Sequence, residues 1–110
     1  MNMETQKSIT RWADDTFGSN HPAEIAARMS VEVAELVAGL ATVATVPVTS
    51  MDPKLVQELQ KECADVYIML VQVAEKLNAD LQTAVNAKMG VNRNRSWERS
   101  PTGKMQHVGE

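Results

Sequence analysis

The sequence predicts an all-α domain: a helical hairpin-based, four-helix-bundle-like core completed by oligomerisation. Three observations carry the prediction. Apolar residues recur at alternating four- and three-residue spacing through two long segments, and no segment shows the alternation of a strand. Each of these segments opens on a capping residue followed closely by proline, at Asn20–Pro22 and at Asp52–Pro53. The stretch Val66 to Val73 is apolar on almost every side, more than one small chain can cover, so a second copy is expected.

The first helix is expected over about Glu4 to Phe17, with Ile9, Trp12, Ala13 and Phe17 on one face. Gly18-Ser19-Asn20-His21-Pro22 breaks it. Asn20 suits the cap of the second helix, Pro22 its first turn and Glu24 its positive end. That helix runs from about Pro22 to Thr45 on a stripe of Met29, Val33, Leu36, Leu40 and Val43. Val46 to Met51 is a connector. The third helix, about Pro53 to Leu77, carries the stripe Val56, Leu59, Cys63, Val66, Leu70, Val73 and Leu77. After the break at Asn78-Ala79, a fourth helix spans about Asp80 to Met89. From Ser100 onward periodicity is absent. Residues 1–99 therefore read as the folded domain and 100–110 as a flexible C-terminal tail.

Composition narrows the function. A chain of 110 residues, 44% of them apolar, makes one globular domain. Aromatics are 4% of it and methionines number 7, so the core is built of Val, Leu, Ala and Met. A net charge of −3 gives no drive toward nucleic acid or an anionic membrane, and neither is expected as a partner. Cys63 is the sole cysteine, which excludes an intrachain disulfide and suits a reducing compartment. The polar start, Met1 to Lys7, is unlike a signal peptide, and the apolar run Val66 to Val71 is too short to span a bilayer. A cytoplasmic location is expected.

The chemistry lies in four acids. Glu32 and Glu35 sit in an apolar run of the second helix, Glu62 and Asp65 in one of the third. Each pair has i, i+3 spacing, so both carboxylates share one side of a helix and flank its core stripe. If the two helices pack antiparallel, the pairs face each other. Acids so placed repel one another unless a cation sits between them. Hard divalent cations with oxygen ligands fit, Mg²⁺ best where a phosphate completes its shell. One pair alone would read as a solvated helix face; two pairs leave both readings open. Gly39 lies two turns beyond Glu32 on the same side, which marks a close approach, by preference of another helix. Further on, Lys88, Asn92 and Arg95 share a face if their helix continues through Gly90. Read alone, they form a solvated, basic helix end.

Glu-x-x-Glu, 26 residues, then Glu-x-x-Asp resembles the MazG-type nucleotide pyrophosphohydrolases, the all-α NTP pyrophosphatase superfamily. Trp12-Ala13-Asp14-Asp15-Thr16-Phe17-Gly18 looks like the N-terminal signature of MazG-like proteins. Lys88 to Trp97 looks like their Lys-x-x-x-Asn-x-x-Arg-x-Trp element. The match covers about residues 8 to 97. It departs at Met29-Ser30-Val31, where many relatives carry a further acid.

The resemblance implies Mg²⁺-dependent hydrolysis of (deoxy)nucleoside triphosphates to the monophosphate and pyrophosphate, for nucleotide-pool control or house-cleaning. It makes Glu32, Glu35, Glu62 and Asp65 the metal ligands, for Mg²⁺ or Mn²⁺ in its place, with Glu35 preferred as catalytic base. It turns Lys88, Asn92 and Arg95 into a phosphate clamp, with Trp97 closing the pocket. Trp12 can stack on a base, although packing with Ile9 and Phe17 in the core is the preferred reading; core is preferred for Tyr67 too. Cys63 reads as a small buried apolar residue, and His21 and His107 stand alone and suggest no zinc site. A nucleoside triphosphate substrate and a homodimer or dimer of dimers are the expected partners. The alternatives are a catalytically inactive helical nucleotide- or metal-binding module and a purely structural helical oligomer.

Overall fold

The computed structural model describes residues 3–99 and 105–108, with side chains as far as Arg95. They fall into two units, Met1–Ala79 and Asp80–Glu110.

The first unit holds three helices. α1 spans Gln6–Phe17. Thr5 and Ser8 cap it reciprocally: Ser8 N–H donates to Thr5 Oγ1 at 3.0 Å and Thr5 N–H to Ser8 Oγ at 2.7 Å. It stops at Gly18, whose φ of 85° favours a residue without a Cβ. α2 spans Pro22–Ala41. Its cap is His21, not the expected Asn20, because Pro22 already occupies the first turn. His21 Nδ1 accepts from the Ala23 N–H at 3.0 Å, and Asn20 turns back to the Gly18 carbonyl. α2 also ends short of Thr45. Thr42 and Val43 are β-branched, and Val43 and Val46 donate to carbonyls three residues back, the pattern of turns rather than α-helix. A 3₁₀ turn at Val48–Ser50 leads into α3, Pro53–Lys76, capped by Asp52 Oδ1 on the Lys54 N–H at 2.9 Å. Asn78 closes α3 at φ 57°, a left-handed position that asparagine tolerates.

α1 and α2 both pack on α3. Among the described residues, the buried ones are Ala13, Ile25, Val71 and Ala74, joined by Thr10 and Gln72. The polar tips of those two bond within their own helices, Thr10 Oγ1 to the Gln6 carbonyl at 2.8 Å and Gln72 Nε2 to that of Ile68 at 3.1 Å. Polar latches fasten α1 to the end of α3. Lys76 Nζ donates to both Asp14 oxygens at 2.9 Å and to Ser19 Oγ at 2.9 Å. Gln6 Nε2 donates to Glu75 Oε1 at 2.9 Å and to the Ala79 carbonyl at 2.6 Å.

α2 and α3 run antiparallel: Gly39 lies against Leu59, and Glu32, earlier on α2, meets Glu62, later on α3. A Cβ added at Gly39 would stand 2.9 Å from Leu59 Cδ2, so the close approach at this glycine is another helix. One flank of the hairpin is open. An apolar groove of about 190 Å³ runs between Leu36, Leu40, Val56, Leu59 and Cys63. This corrects the burial expected of three residues. Cys63 is exposed because its part of the stripe faces the groove. Trp12 and Tyr67 are 55% and 57% exposed, since α1 lies across the C-terminal half of α3 and leaves both outside the contact. The apolar stretch Val66 to Val73 is partly covered by this chain, with Val71 and Gln72 buried and Leu70 exposed. Among the described residues no helix is long and apolar enough to cross a membrane.

The second unit begins with α4, Leu81–Arg93, capped by Asp80 Oδ2, which accepts from the Thr83 N–H at 3.0 Å and from its hydroxyl at 2.7 Å. Strands β1, Ser96–Arg99, and β2, Met105–Val108, then pair antiparallel, Trp97 opposite His107. The sequence shows no strand pattern here. Four residues are too few for a periodic signal, and pairing rather than patterning creates the hairpin. The rest of the expected tail, residues 100–104 and 109–110, lies outside the described residues.

Candidate active site

The antiparallel hairpin brings acids from its two helices together. Glu32, Glu35 and Glu62 each place a carboxylate oxygen so that all three atoms lie within 4.8 Å of one another. Glu32 and Glu62 are half-buried and Glu35 is exposed, so the cluster opens on one side. Asp65 falls outside that set of three. Its side chain is a methylene shorter and its carboxylate is exposed, but its charge still reaches Glu32.

Two observations mark the cluster as more than a solvated face. Loss of solvent pushes the Glu32 carboxyl above its ordinary range, and the charges of Glu35, Asp65 and Glu62, with the hydrogen-bonding contact to Glu62, push the same way. Glu62 Oε2 is shut off from solvent and has no hydrogen-bond partner. A buried carboxylate oxygen without a donor is costly, and a cation is what satisfies it. Among the described residues, no ion pair brings a side-chain cation to the cluster. Lys61 adjoins Glu62 in sequence but turns to Glu58 at 3.4 Å. The other described ion pairs of this unit are Lys76 with Asp14 and Lys7 with Glu75, both away from the cluster. All-oxygen donors with an open side fit a hard divalent ion that keeps room for another oxygen ligand.

The remaining site candidates stand on two units. In the first, Trp12 meets Phe17 edge to face, with ring centroids 5.5 Å apart at 89°. Beside it a recess of about 280 Å³ is lined by Glu4, Ile9, Trp12 and Ile68. Ile68, a wall of this recess, is not singled out by the sequence. Its one signal was its place a turn beyond Asp65 on the same helix. In the second unit, α4 does continue through Gly90, and Lys88 and Asn92 share a face one turn apart. Asn92 Nδ2 lies 3.9 Å from Met89 Sδ. Arg95 lies past the helix end, its N–H on the Asn92 carbonyl at 3.3 Å, so it does not continue that face. Trp97 stands on β1, and its side chain lies outside the described ones.

Fold and cluster together define an all-α domain in which an antiparallel helical hairpin converges acidic side chains from both arms. Comparison with known proteins gives the family. No family model matches the chain. A dATP/dGTP diphosphohydrolase of Cyanophage S-2L is 30% identical over 105 residues, 96% of this chain and 86% of the relative. A dATP/dGTP diphosphohydrolase of Salmonella phage PMBT28 is 33% identical over 105 residues, and there the chain spans only 31% of the relative's length. A solved structure, the Cyanophage S-2L MazG-like pyrophosphohydrolase bound to dGDP and three catalytic Mn²⁺ ions per active site, superposes with a TM-score of 0.68. It is 28% identical, over 94% of this chain and 93% of that one. The chain belongs to the MazG-like nucleotide pyrophosphohydrolases.

Proposed function

We propose that this chain hydrolyses deoxynucleoside and nucleoside triphosphates to the monophosphate and pyrophosphate, with Mg²⁺, or Mn²⁺ in its place. The observation that carries the reading is the buried, partnerless Glu62 Oε2 within the cluster of Glu32, Glu35 and Glu62. Those three residues, with Asp65, hold the cation. When bound, it neutralises phosphate charge and lowers the pKa of an adjacent water. Glu35, the exposed member of the three, takes the proton from the attacking water. For Lys88, Asn92, Arg95 and Trp97 the family resemblance supports a substrate-binding role, the first three as donors to phosphate. Attack falls on the α-phosphorus, so monophosphate and pyrophosphate leave together. The two phage relatives and the Mn²⁺- and dGDP-bound neighbour support this substrate class and a divalent metal. A role in shaping the deoxynucleotide pool follows from such an activity. The open apolar flank of the hairpin suits a second copy of the chain, in a homodimer or dimer of dimers.

The test is a panel of nucleoside and deoxynucleoside triphosphates assayed for pyrophosphate release with Mg²⁺ and with Mn²⁺, beside Glu62→Gln. Pyrophosphate in equal amount to monophosphate, abolished in the variant, is the expected result. Release of orthophosphate with a diphosphate overturns the assignment of the bond. Metal-dependent stabilisation without turnover of any nucleotide would identify instead a binding module that has lost catalysis.

A further inference from the structure

α2 carries a positive charge where its acidic face begins. Arg28, Glu32 and Glu35 are spaced by four and then three residues, so their side chains leave the helix on one side. Arg28 is exposed and stands one turn before Glu32. Acids lie one turn to either side of it, Glu24 before and Glu32 after, and Glu24 comes in the order that favours a pair along a helix. Arg28 pairs with neither: the described ion pairs of this unit are made by Lys7, Lys61 and Lys76. Arg11, on α1, lines a separate cleft with Asp14 and Lys76. The acids are thus left open to a metal, with a guanidinium beside them on the same helix face. An exposed arginine by itself is an ordinary solvated cation, but its order along the stripe gives this one a direction.

We propose that Arg28 holds the departing pyrophosphate. The proposal rests on the reading of the acid cluster as the site of hydrolysis, with Glu35 as base. In phosphoryl transfer the attacking and leaving oxygens lie roughly in line through the phosphorus. Water activated at Glu35 arrives from the C-terminal end of the stripe, so the leaving group departs toward the N-terminal end, where Arg28 stands. Glu35 takes the proton of the water, whose oxygen bonds to the α-phosphorus. The bond from that phosphorus to the bridging oxygen breaks, and its electron pair stays with pyrophosphate. Charge on the bridging oxygen grows as the bond breaks, and the forked donors of a guanidinium stabilise it more then than in the bound substrate. Arg28 therefore contributes to kcat and to affinity for pyrophosphate, and not to affinity for the monophosphate.

The experiment compares the whole chain with Arg28→Ala, Arg28→Lys and, as a control that removes the same charge from α1, Arg11→Ala. Arg28→Ala should lower kcat for dGTP on the order of tenfold to a hundredfold, the loss of one charge-assisted contact, and weaken inhibition by pyrophosphate by a similar factor. Inhibition by dGMP should stay within about threefold of the parent. Arg28→Lys keeps the charge and loses the fork, so it should recover part of both losses. Arg11→Ala should match the parent throughout. Independently of turnover, calorimetric titration of pyrophosphate in excess Mn²⁺ should show the same weakening in Arg28→Ala, while stabilisation by Mn²⁺ alone is retained. Unchanged kcat and pyrophosphate affinity overturn the proposal. So does an equal loss of dGMP inhibition, a loss of Mn²⁺ stabilisation, or an equal fall in Arg11→Ala. If the parent releases no pyrophosphate from any nucleotide, the hydrolytic reading fails, and the calorimetric titration still decides whether Arg28 holds pyrophosphate.

Discussion

Replacing Lys76 with methionine tests how α1 is held to α3. Methionine keeps the apolar stem and removes the charge. The ammonium makes three contacts, two to Asp14 and one to Ser19, all at 2.9 Å. The Lys76 side chain is 16% exposed and that of Asp14 34%, so the pair lies between two regimes. Surface pairs contribute roughly 0–1 kcal/mol, and removal of one partner of a buried pair costs roughly 3–5. Water at Asp14 offsets part of the loss, which leaves about 1–2 kcal/mol. Unfolding entropy of about 2.1 cal/mol/K per residue gives roughly 0.23 kcal/mol/K for this chain. The Tm should therefore fall by about 4–9 °C. Melting followed by circular dichroism at 222 nm measures it, and Asp14→Asn alone and combined with Lys76→Met completes a double-mutant cycle. A fall of less than about 1 °C, or strict additivity of the two substitutions, would refute the argument that the latch acts through this pair.

Three further outcomes are expected. The folded-state pKa of Glu32 is raised, so in chelator its contribution to stability is complete below the unfolded value and is lost as pH rises through the folded one. Melts across pH in chelator should show that loss, and Glu32→Gln should remove it while also abolishing stabilisation by Mn²⁺; an unaltered pH profile in the variant would contradict the assignment. Gly39→Ala gains about 1 kcal/mol of helix propensity but pushes Leu59 aside, so its stability should stay within about 1 kcal/mol of the parent, while Gly39→Leu overpacks and should cost about 1–3 kcal/mol in urea melts. Lys88→Ala should lower pyrophosphate release on the order of tenfold to a hundredfold, as expected for one charge-assisted phosphate contact worth roughly 1.5–3 kcal/mol. A rate equal to the parent's would return Lys88 to an ordinary solvated cation.

What the sequence disclosed was local and periodic. The helices follow from caps, prolines and apolar spacing, and the acid pairs on α2 and α3 were visible as patterns within single helices. Their meeting needed the hairpin direction, and the structure supplies it through Gly39 and Leu59. What stayed hidden depended on partners distant in sequence. Lys76 had no sequence signal because Asp14 is 62 residues away. Trp12 was expected in the core because periodicity tells which residues share a face and not whether another helix covers it. His21 displaced Asn20 as the cap because a single proline set the register. The β-hairpin escaped because its strands are shorter than the period-two signal needs.

Glu62, Asp65, Ile68 and Lys76 lie along one unbroken helix, and this makes α3 a measuring rod. Each residue advances the axis by about 1.5 Å and turns it by about 100°. The separation between Glu62 or Asp65 and the Ile68 wall of the recess is therefore written in residue count, not in loop conformation. A single alanine inserted between Asp65 and Ile68 would lengthen the rod by only about 1.5 Å but swing everything beyond it by about 100°. The same insertion in the turns between Ala41 and Pro53 would lengthen the connection without turning either helix. Variation in this hairpin is thus free in length at its bend and locked in phase along α3. Substitution of side chains at fixed spacing is the route by which such a domain can change what it accepts.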